Sequence, residues 1–210
     1  MTKNSISVIL RSYNNTKIFP LLKKLDTFLE VGAFIVVINK QQDKIKTKQK
    51  LLKLKLHKPL TIIELQPYGW SLALNSALKY IQTPYTLVIS NEVSLKHINI
   101  RELLQNHKKK KNISVSYSNF YGYNQKSYTI ARNTFTLYNT KIFQKVGLFN
   151  TKLDNMGGME DYEFMLRALK YNLYPYKTKH KVKLAPNKKL SYKLKNEQKA
   201  MQKIDSLYFN

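Results

Sequence analysis

The chain has 210 residues and a formal net charge of +25, with 37 Lys and Arg against 12 Asp and Glu. That length supports one domain with a sizeable core, and the absence of cysteine excludes disulfides and thiolate metal sites. The longest apolar run, Ala33–Ile38, is far short of the roughly 18 residues a membrane span needs, and the opening MTKNSISVIL lacks a signal peptide's apolar core, so a cytoplasmic protein is expected, with room for peripheral membrane association.

Ser5–Leu10 is a short β-rich run that ends in the polar turn Arg11-Ser12-Tyr13-Asn14-Asn15. Over Thr16–Leu29, apolar residues at Ile18, Phe19, Leu22, Leu25, Phe28 and Leu29 have helical spacing, and Pro20 falls in the first turn, where proline is tolerated. Ala33–Ile38 is the continuous apolar run expected of a buried parallel strand. Asp43–Leu56 is Lys-rich and predicted helical. Leu60–Leu65 is a third strand, Trp70–Ile81 a helix with an apolar face, and Tyr85–Ile89 a fourth strand.

Four strand–helix alternations in 90 residues predict a parallel sheet with right-handed crossovers. Ligands of such sheets bind beyond the carboxyl ends of the strands. The candidate loops are therefore Arg11–Asn15, Asn39–Asp43, Gln66–Gly69 and Ser90–Ser94.

The second half is less regular. Ile113–Ser118 and Ser127–Leu137 read as strands and suit antiparallel pairing, and Thr140–Val146 as a short helix. Gly157-Gly158 then leads into Glu160-Asp161 and an apolar-periodic segment, Tyr162 to Leu169. This places two carboxylates at a helix N-terminus, where the positive end of the dipole favours their charge. An ionised carboxylate at such a junction suits a general base, and equally a helix cap. Leu173–Leu184 is β-rich, and Leu190–Leu207 is a Lys-rich tail with helical character. His57, His97, His107 and His180 are isolated and read as surface residues.

Taken together, these segments resemble the family-2 glycosyltransferases over residues 5 to 175. SVILRSYNN resembles the family's first strand and Tyr-Asn turn, and IVVINKQQD its second strand and acidic turn. Gly69-Trp70-Ser71 with Asn75 is similar to the G-x-S-x-x-x-N helix start. GLFN at 147–150 resembles G-G-F-D, and Glu160-Asp161 with Arg167 resembles E-D-x-x-x-x-x-R, the most specific of these matches.

The resemblance implies a Rossmann-like GT-A fold, a mainly parallel central sheet flanked by helices, with a smaller antiparallel element in the second half. It implies one domain over 1–210, with a nucleotide-binding half (1–94), an acceptor half (95–185) and a basic tail (186–210). The implied activity is transfer of a sugar from a UDP-, GDP- or dTDP-sugar to a hydroxyl of a glycan or lipid-linked acceptor, with inversion, in cell-surface polysaccharide or glycoconjugate synthesis. Asp161 becomes the general base. Arg11, Tyr13, Asn39, Trp70, Asn75 and Ser90 fall at donor-binding positions, with Asn75 also suited to bracing a loop through backbone bonds. Arg167 suits orienting its helix or a neighbouring carboxylate.

The family's fourth strand ends in Asp-x-Asp, where this chain has Ser90-Asn91-Glu92. A Mn or Mg ion takes hard oxygen ligands, and Glu92 is the carboxylate left to supply one. The depleted motif also admits a catalytically degenerate binding or scaffold protein on the same fold.

The charge raises a third possibility, a polyanion binder. Four of the basic residues are Arg (Arg11, Arg101, Arg132, Arg167) and 33 are Lys. Base readout favours Arg, so no specific nucleic-acid partner is expected. The lysines are spread along the chain and read mostly as solvated surface. The remainder suits attraction to anionic lipid, a nucleotide or an acidic glycan.

Overall fold

The computed structural model describes residues 3–12, 18–39, 44–66, 69–91, 93–94, 98–109, 113–121, 133–156, 159–183, 202 and 204–206. In chain order the elements are β1 (Ile6–Ser12), α1 (Ile18–Asp26), β2 (Val31–Ile38), α2 (Lys44–Leu52), β3 (Leu60–Glu64), α3 (Trp70–Leu78) and β4 (Tyr85–Ile89). Then follow α4 (Ile100–Lys109), β5 (Ile113–Tyr121), β6 (Phe135–Asn139), α5 (Ile142–Val146), a 3₁₀ helix (Thr151–Met156), α6 (Glu160–Lys170) and β7 (Tyr174–Lys183).

One seven-stranded sheet has the order β3-β2-β1-β4-β6-β5-β7. β1 pairs in parallel with β2 and β4, and β2 with β3. β6 runs antiparallel to both β4 and β5, while β7 is parallel to β5. The antiparallel element expected in the second half is thus one strand, built into the main sheet. β1 is buried almost throughout, as a central parallel strand flanked on both sides must be.

Alternate residues of the strands feed two cores. Val8, Leu10, Val36 and Leu87 pack with Leu22 of α1 and Leu103 of α4 on one face. Ile9, Ile35 and Val88 pack with Leu74 of α3 and Phe164 of α6 on the other. The period of two along each strand produces this division, and helices on both faces make the sheet doubly wound.

Two expectations need correction. α4 is absent from the sequence expectations, yet its start is chemically marked: Asn99 Oδ1 accepts the Glu102 N–H at 3.2 Å, a side-chain cap. His107 on that helix is buried rather than on the surface, with Nε2 2.8 Å from the Leu137 carbonyl and its ring against Tyr85. His57 is exposed, as expected, although its Nδ1 lies 2.8 Å from Asp26 Oδ2. Of the predicted 127–137 strand, residues 127–132 lie outside the described residues, and β6 begins at Phe135. Most of the 190–207 tail also lies outside them. Ile204 packs against Leu153, Met159 and Leu166, and Tyr162 Oη donates to Asp205 Oδ1 at 2.5 Å. Burial and the Asp205 carboxylate push the Tyr162 hydroxyl up to about 12.

Candidate functional site

The strand register sets the site. Ser12 pairs with Ile38, Ile38 with Glu64, and Leu10 with both Val36 and Ile89. The carboxyl ends of the parallel strands are therefore level. Arg11 at the end of β1, Asn39 after β2 and Ser90 after β4 share that end of the sheet.

α6 brings the acidic pair to the same end through β6. Ser90 N–H donates to the Thr134 carbonyl at 2.8 Å. The preceding residue, Asn133, donates its backbone N–H to Asp161 Oδ2 at 2.9 Å. Its side-chain Nδ2 lies 3.4 Å from Glu160 Oε1, and its Oδ1 accepts from the buried Tyr138 hydroxyl. Asn133 is thus the joint between the end of β4 and the start of α6.

The two acids differ in environment. Asp161 is 4% exposed, and its two oxygens accept N–H groups from Asn133 and from Tyr162, the latter at 2.8 Å. Such bonds stabilise a carboxylate charge. Glu160 is equally buried, and its Oε2 has no hydrogen-bond partner among the described residues. Burial, and then the Asp161 charge, push Glu160 up to about 7, against the opposing pull of the Arg11 guanidinium. Two neighbouring carboxyls that cannot easily both ionise divide one charge between them. Burial, reinforced by the same two acids, also drives the Tyr138 hydroxyl well above its ordinary value.

Arg11 is stacked on Trp70, its guanidinium carbon 3.1 Å from the ring centroid. Trp70 opens α3 and remains 43% exposed, so it holds the cation from one side while staying open to solvent. Asn39 is buried; its Nδ2 donates to the Gly69 carbonyl at 3.2 Å, and its Oδ1 has no hydrogen-bond partner among the described residues. A buried amide oxygen without a donor is a costly arrangement that a ligand N–H would relieve.

Asn75 makes the backbone bonds of the bracing alternative. Its Nδ2 donates to the Phe149 carbonyl at 2.8 Å and its Oδ1 accepts the Phe149 N–H at 3.0 Å. It clamps the GLFN segment rather than facing a ligand. Phe149 in turn packs in an aromatic cluster with Tyr138, Phe143 and Phe164. Arg167 completes this brace, pairing with Glu163 and donating to the Val146 and Leu148 carbonyls, each at 2.7 Å. Between those carbonyls Gly147 has φ +90°, a conformation that favours glycine.

Asp154 was missing from the sequence expectations. Its Oδ1 accepts the Ser71 N–H at 2.6 Å and its Oδ2 the Leu72 N–H at 3.2 Å. A signal for it existed: α3 starts at Gly69 without a side-chain cap and has no acid in its first turn, so an acceptor from elsewhere was required. Asn133 left no comparable trace. Tyr13 and Glu92 lie outside the described residues.

Among the described residues no group of three or more His, Asp or Glu side chains forms a metal cluster. Glu160 Oε2, without a hydrogen-bond partner among the described residues, is a hard oxygen joined through Asn133 and Thr134 to the end of β4, a donor type that suits a divalent cation.

The fold is that of the GT-A-like nucleotide-sugar transferases. No protein-family model matches the sequence, and no curated protein matches it. Among solved structures, a mannosyltransferase, PcManGT from Pyrobaculum calidifontis in complex with GDP-Man and Mn2+, superposes with a TM-score of 0.72 at 12% identity, over 96% of this chain and 65% of that one. S. aureus TarS superposes with a TM-score of 0.60 at 17% identity, over 87% of this chain and 35% of that one. A shorter TarS chain in complex with UDP-GlcNAc also gives 0.60, at 18% identity, with 56% of its length covered. The chain thus spans less than two thirds of each of these proteins.

Proposed function

We propose that this chain is an inverting family-2 glycosyltransferase that moves a hexose from a nucleotide-diphosphate donor to an acceptor hydroxyl in polysaccharide or glycoconjugate synthesis. One observation carries the proposal: Asn133 and Thr134 tie the Glu160-Asp161 pair to the end of β4, at the sheet end where Arg11 and Asn39 also lie. The donor occupies the half formed by residues 1–94, and the acceptor meets the half formed by 95–185, with 186–210 as a basic tail.

Asp161 accepts the proton of the acceptor hydroxyl. Its oxygens accept N–H groups from Asn133 and Tyr162, and these bonds favour the ionised form that a base needs. Glu160, when protonated, lets Asp161 keep the shared charge. Arg11, steadied by Trp70, binds the diphosphate. Asn39 Oδ1 accepts from an N–H on the nucleobase, Tyr13 stacks on the base, and the Ser90 hydroxyl reaches the ribose. Glu92 would hold a Mn or Mg ion, which would offer positive charge to the leaving diphosphate. The GDP-Man, UDP-GlcNAc and Mn2+ of the structural neighbours support this class of donor and ion.

Calorimetric titration with UDP-, GDP- and dTDP-sugars, with and without Mn, tests the proposal. Saturable binding of one donor, followed by its turnover with an acceptor panel, is expected. Binding without turnover points to a degenerate binding protein, for which Ser90 in place of the motif's first Asp and Asn39 at the base-contacting Asp position are the motivating observations. No heat with any nucleotide sugar under either condition removes the enzyme reading.

A further inference from the structure

Among the exposed large apolar side chains of the described residues, the two most exposed sit on one short helix. Ile45 is 74% exposed and Leu52 68%. Both belong to α2 and are seven residues apart, so they lie on the same face, within about 20° of each other around the axis. The inner face of α2 is slight, with Leu51 its one buried residue.

Charge frames the apolar pair. Residues 44–56 contain six lysines and no acid. Lys46 and Lys50 on α2 and Lys53 just beyond it are exposed, on the side of the outward face away from β3. Lys48, on the other flank, is tied to Glu64 of β3 at 2.5 Å, and Lys44 Nζ donates to the Leu65 carbonyl at 3.3 Å. These two bonds anchor the helix to the sheet edge. They leave Ile45, Leu52 and the Lys46–Lys50–Lys53 side presented to solvent.

We infer that α2 docks this protein on an anionic lipid bilayer. Ile45 and Leu52 enter the headgroup boundary, and Lys46, Lys50 and Lys53 meet the lipid phosphates, the arrangement of an interfacial amphipathic helix. A polyanion without an apolar layer has no use for two side chains exposed to this degree, whereas a bilayer accepts both features. Because α2 follows β2, whose end carries Asn39, docking brings one rim of the donor cleft near the lipid surface. The docking does not depend on sugar transfer and can be tested without it.

The test is co-sedimentation of the full chain with vesicles of phosphatidylcholine alone and of phosphatidylcholine with phosphatidylglycerol in equal parts. Wild-type protein is expected to pellet with the anionic vesicles and not with the neutral ones. Combined Lys46→Gln, Lys50→Gln and Lys53→Gln should weaken that binding about a hundredfold. Ile45→Ser with Leu52→Ser should weaken it about tenfold or more and leave a remainder that is lost as salt is raised. All five positions are exposed, and unchanged thermal melting verifies that the variants fold. Anionic-vesicle binding that survives both sets overturns the assignment, because another face then carries it. Absence of vesicle binding overturns it as well. So does a wild-type dimer that Ile45→Ser with Leu52→Ser converts to a monomer, which makes the face a contact between two copies.

Discussion

The backbone N–H of Asn133 donates to Oδ2 of Asp161 across 28 residues of sequence, at 2.9 Å. Because Thr134, the next residue, accepts from Ser90 N–H, this bond fixes the proposed base relative to the end of β4. Asp161→Asn keeps one acceptor oxygen and turns an NH2 group toward one of two N–H donors, from Asn133 or Tyr162. A loss of about 1–3 kcal/mol of stability is expected from the donor left without an acceptor. Sugar transfer should disappear while donor affinity stays within a few-fold. Thermal melting, calorimetry and a turnover assay separate these effects, and near wild-type turnover removes Asp161 from the base role.

Glu160 carries a pH dependence of definite sign. Its folded-state value, about 7, lies above the ordinary 4.5, so the folded protein holds a proton that the unfolded chain releases. Stability from this group is complete below about pH 4.5, falls as pH rises toward 7, and is steady above. Glu160→Gln removes the titration. The variant should match wild type near the acid end of that window and exceed it above pH 7, by an amount on the order of 3 kcal/mol. Denaturant melts across the range check this, and a gap that does not change with pH contradicts it.

The Arg11–Trp70 stack predicts a selective effect on phosphate. Arg11→Ala should weaken binding of a nucleoside diphosphate by roughly tenfold to a hundredfold, the usual worth of a charge-assisted bond. Binding of the corresponding nucleoside should change little. Trp70→Ala removes only the support of the guanidinium, and a loss of about two- to tenfold is expected. Equal losses for nucleoside and diphosphate would remove Arg11 from the phosphate and place it at the base.

The runs of β1, β2 and β4 were legible because a central parallel strand covered on both faces is mostly apolar, and all four observed strands lie within two residues of the expected ends, although β3 is a half-buried edge strand. The Glu160 helix was legible from its Gly-Gly approach and its period. Arg167 was expected to orient its helix or a neighbouring carboxylate, and it pairs with Glu163 on that helix. What the sequence hid were the partners. Asn133 is joined to Asp161, Asp154 to Ser71 and Asn75 to Phe149 by bonds from side chains to distant backbone. Such bonds leave no periodicity to read. His107 was misplaced because it was read as an isolated residue outside any helix, whereas it lies on the inward face of α4 with Leu103 and Leu104.

Asp154 and Gly69 provide a coupling that can be measured without any substrate. The Asp154 carboxylate caps α3 through the Ser71 and Leu72 N–H groups and lies so close to Gly69 that a Cβ there would collide with Oδ2. Gly69 has an extended backbone, φ −176°, which any residue adopts, so its requirement is space and not conformation. Asp154→Ala should cost about 1–2 kcal/mol, the worth of a helix cap. Gly69→Ala should cost a similar amount in the wild type, because the methyl group displaces the carboxylate from its donors. In the Asp154→Ala background the same Gly69→Ala should cost clearly less, since the cap is already gone and only the Cβ of residue 154 remains close, at 3.2 Å. A double-mutant cycle on denaturant midpoints reads this directly. Additive costs would mean that the methyl group meets some other obstacle, and that the capping carboxylate tolerates it.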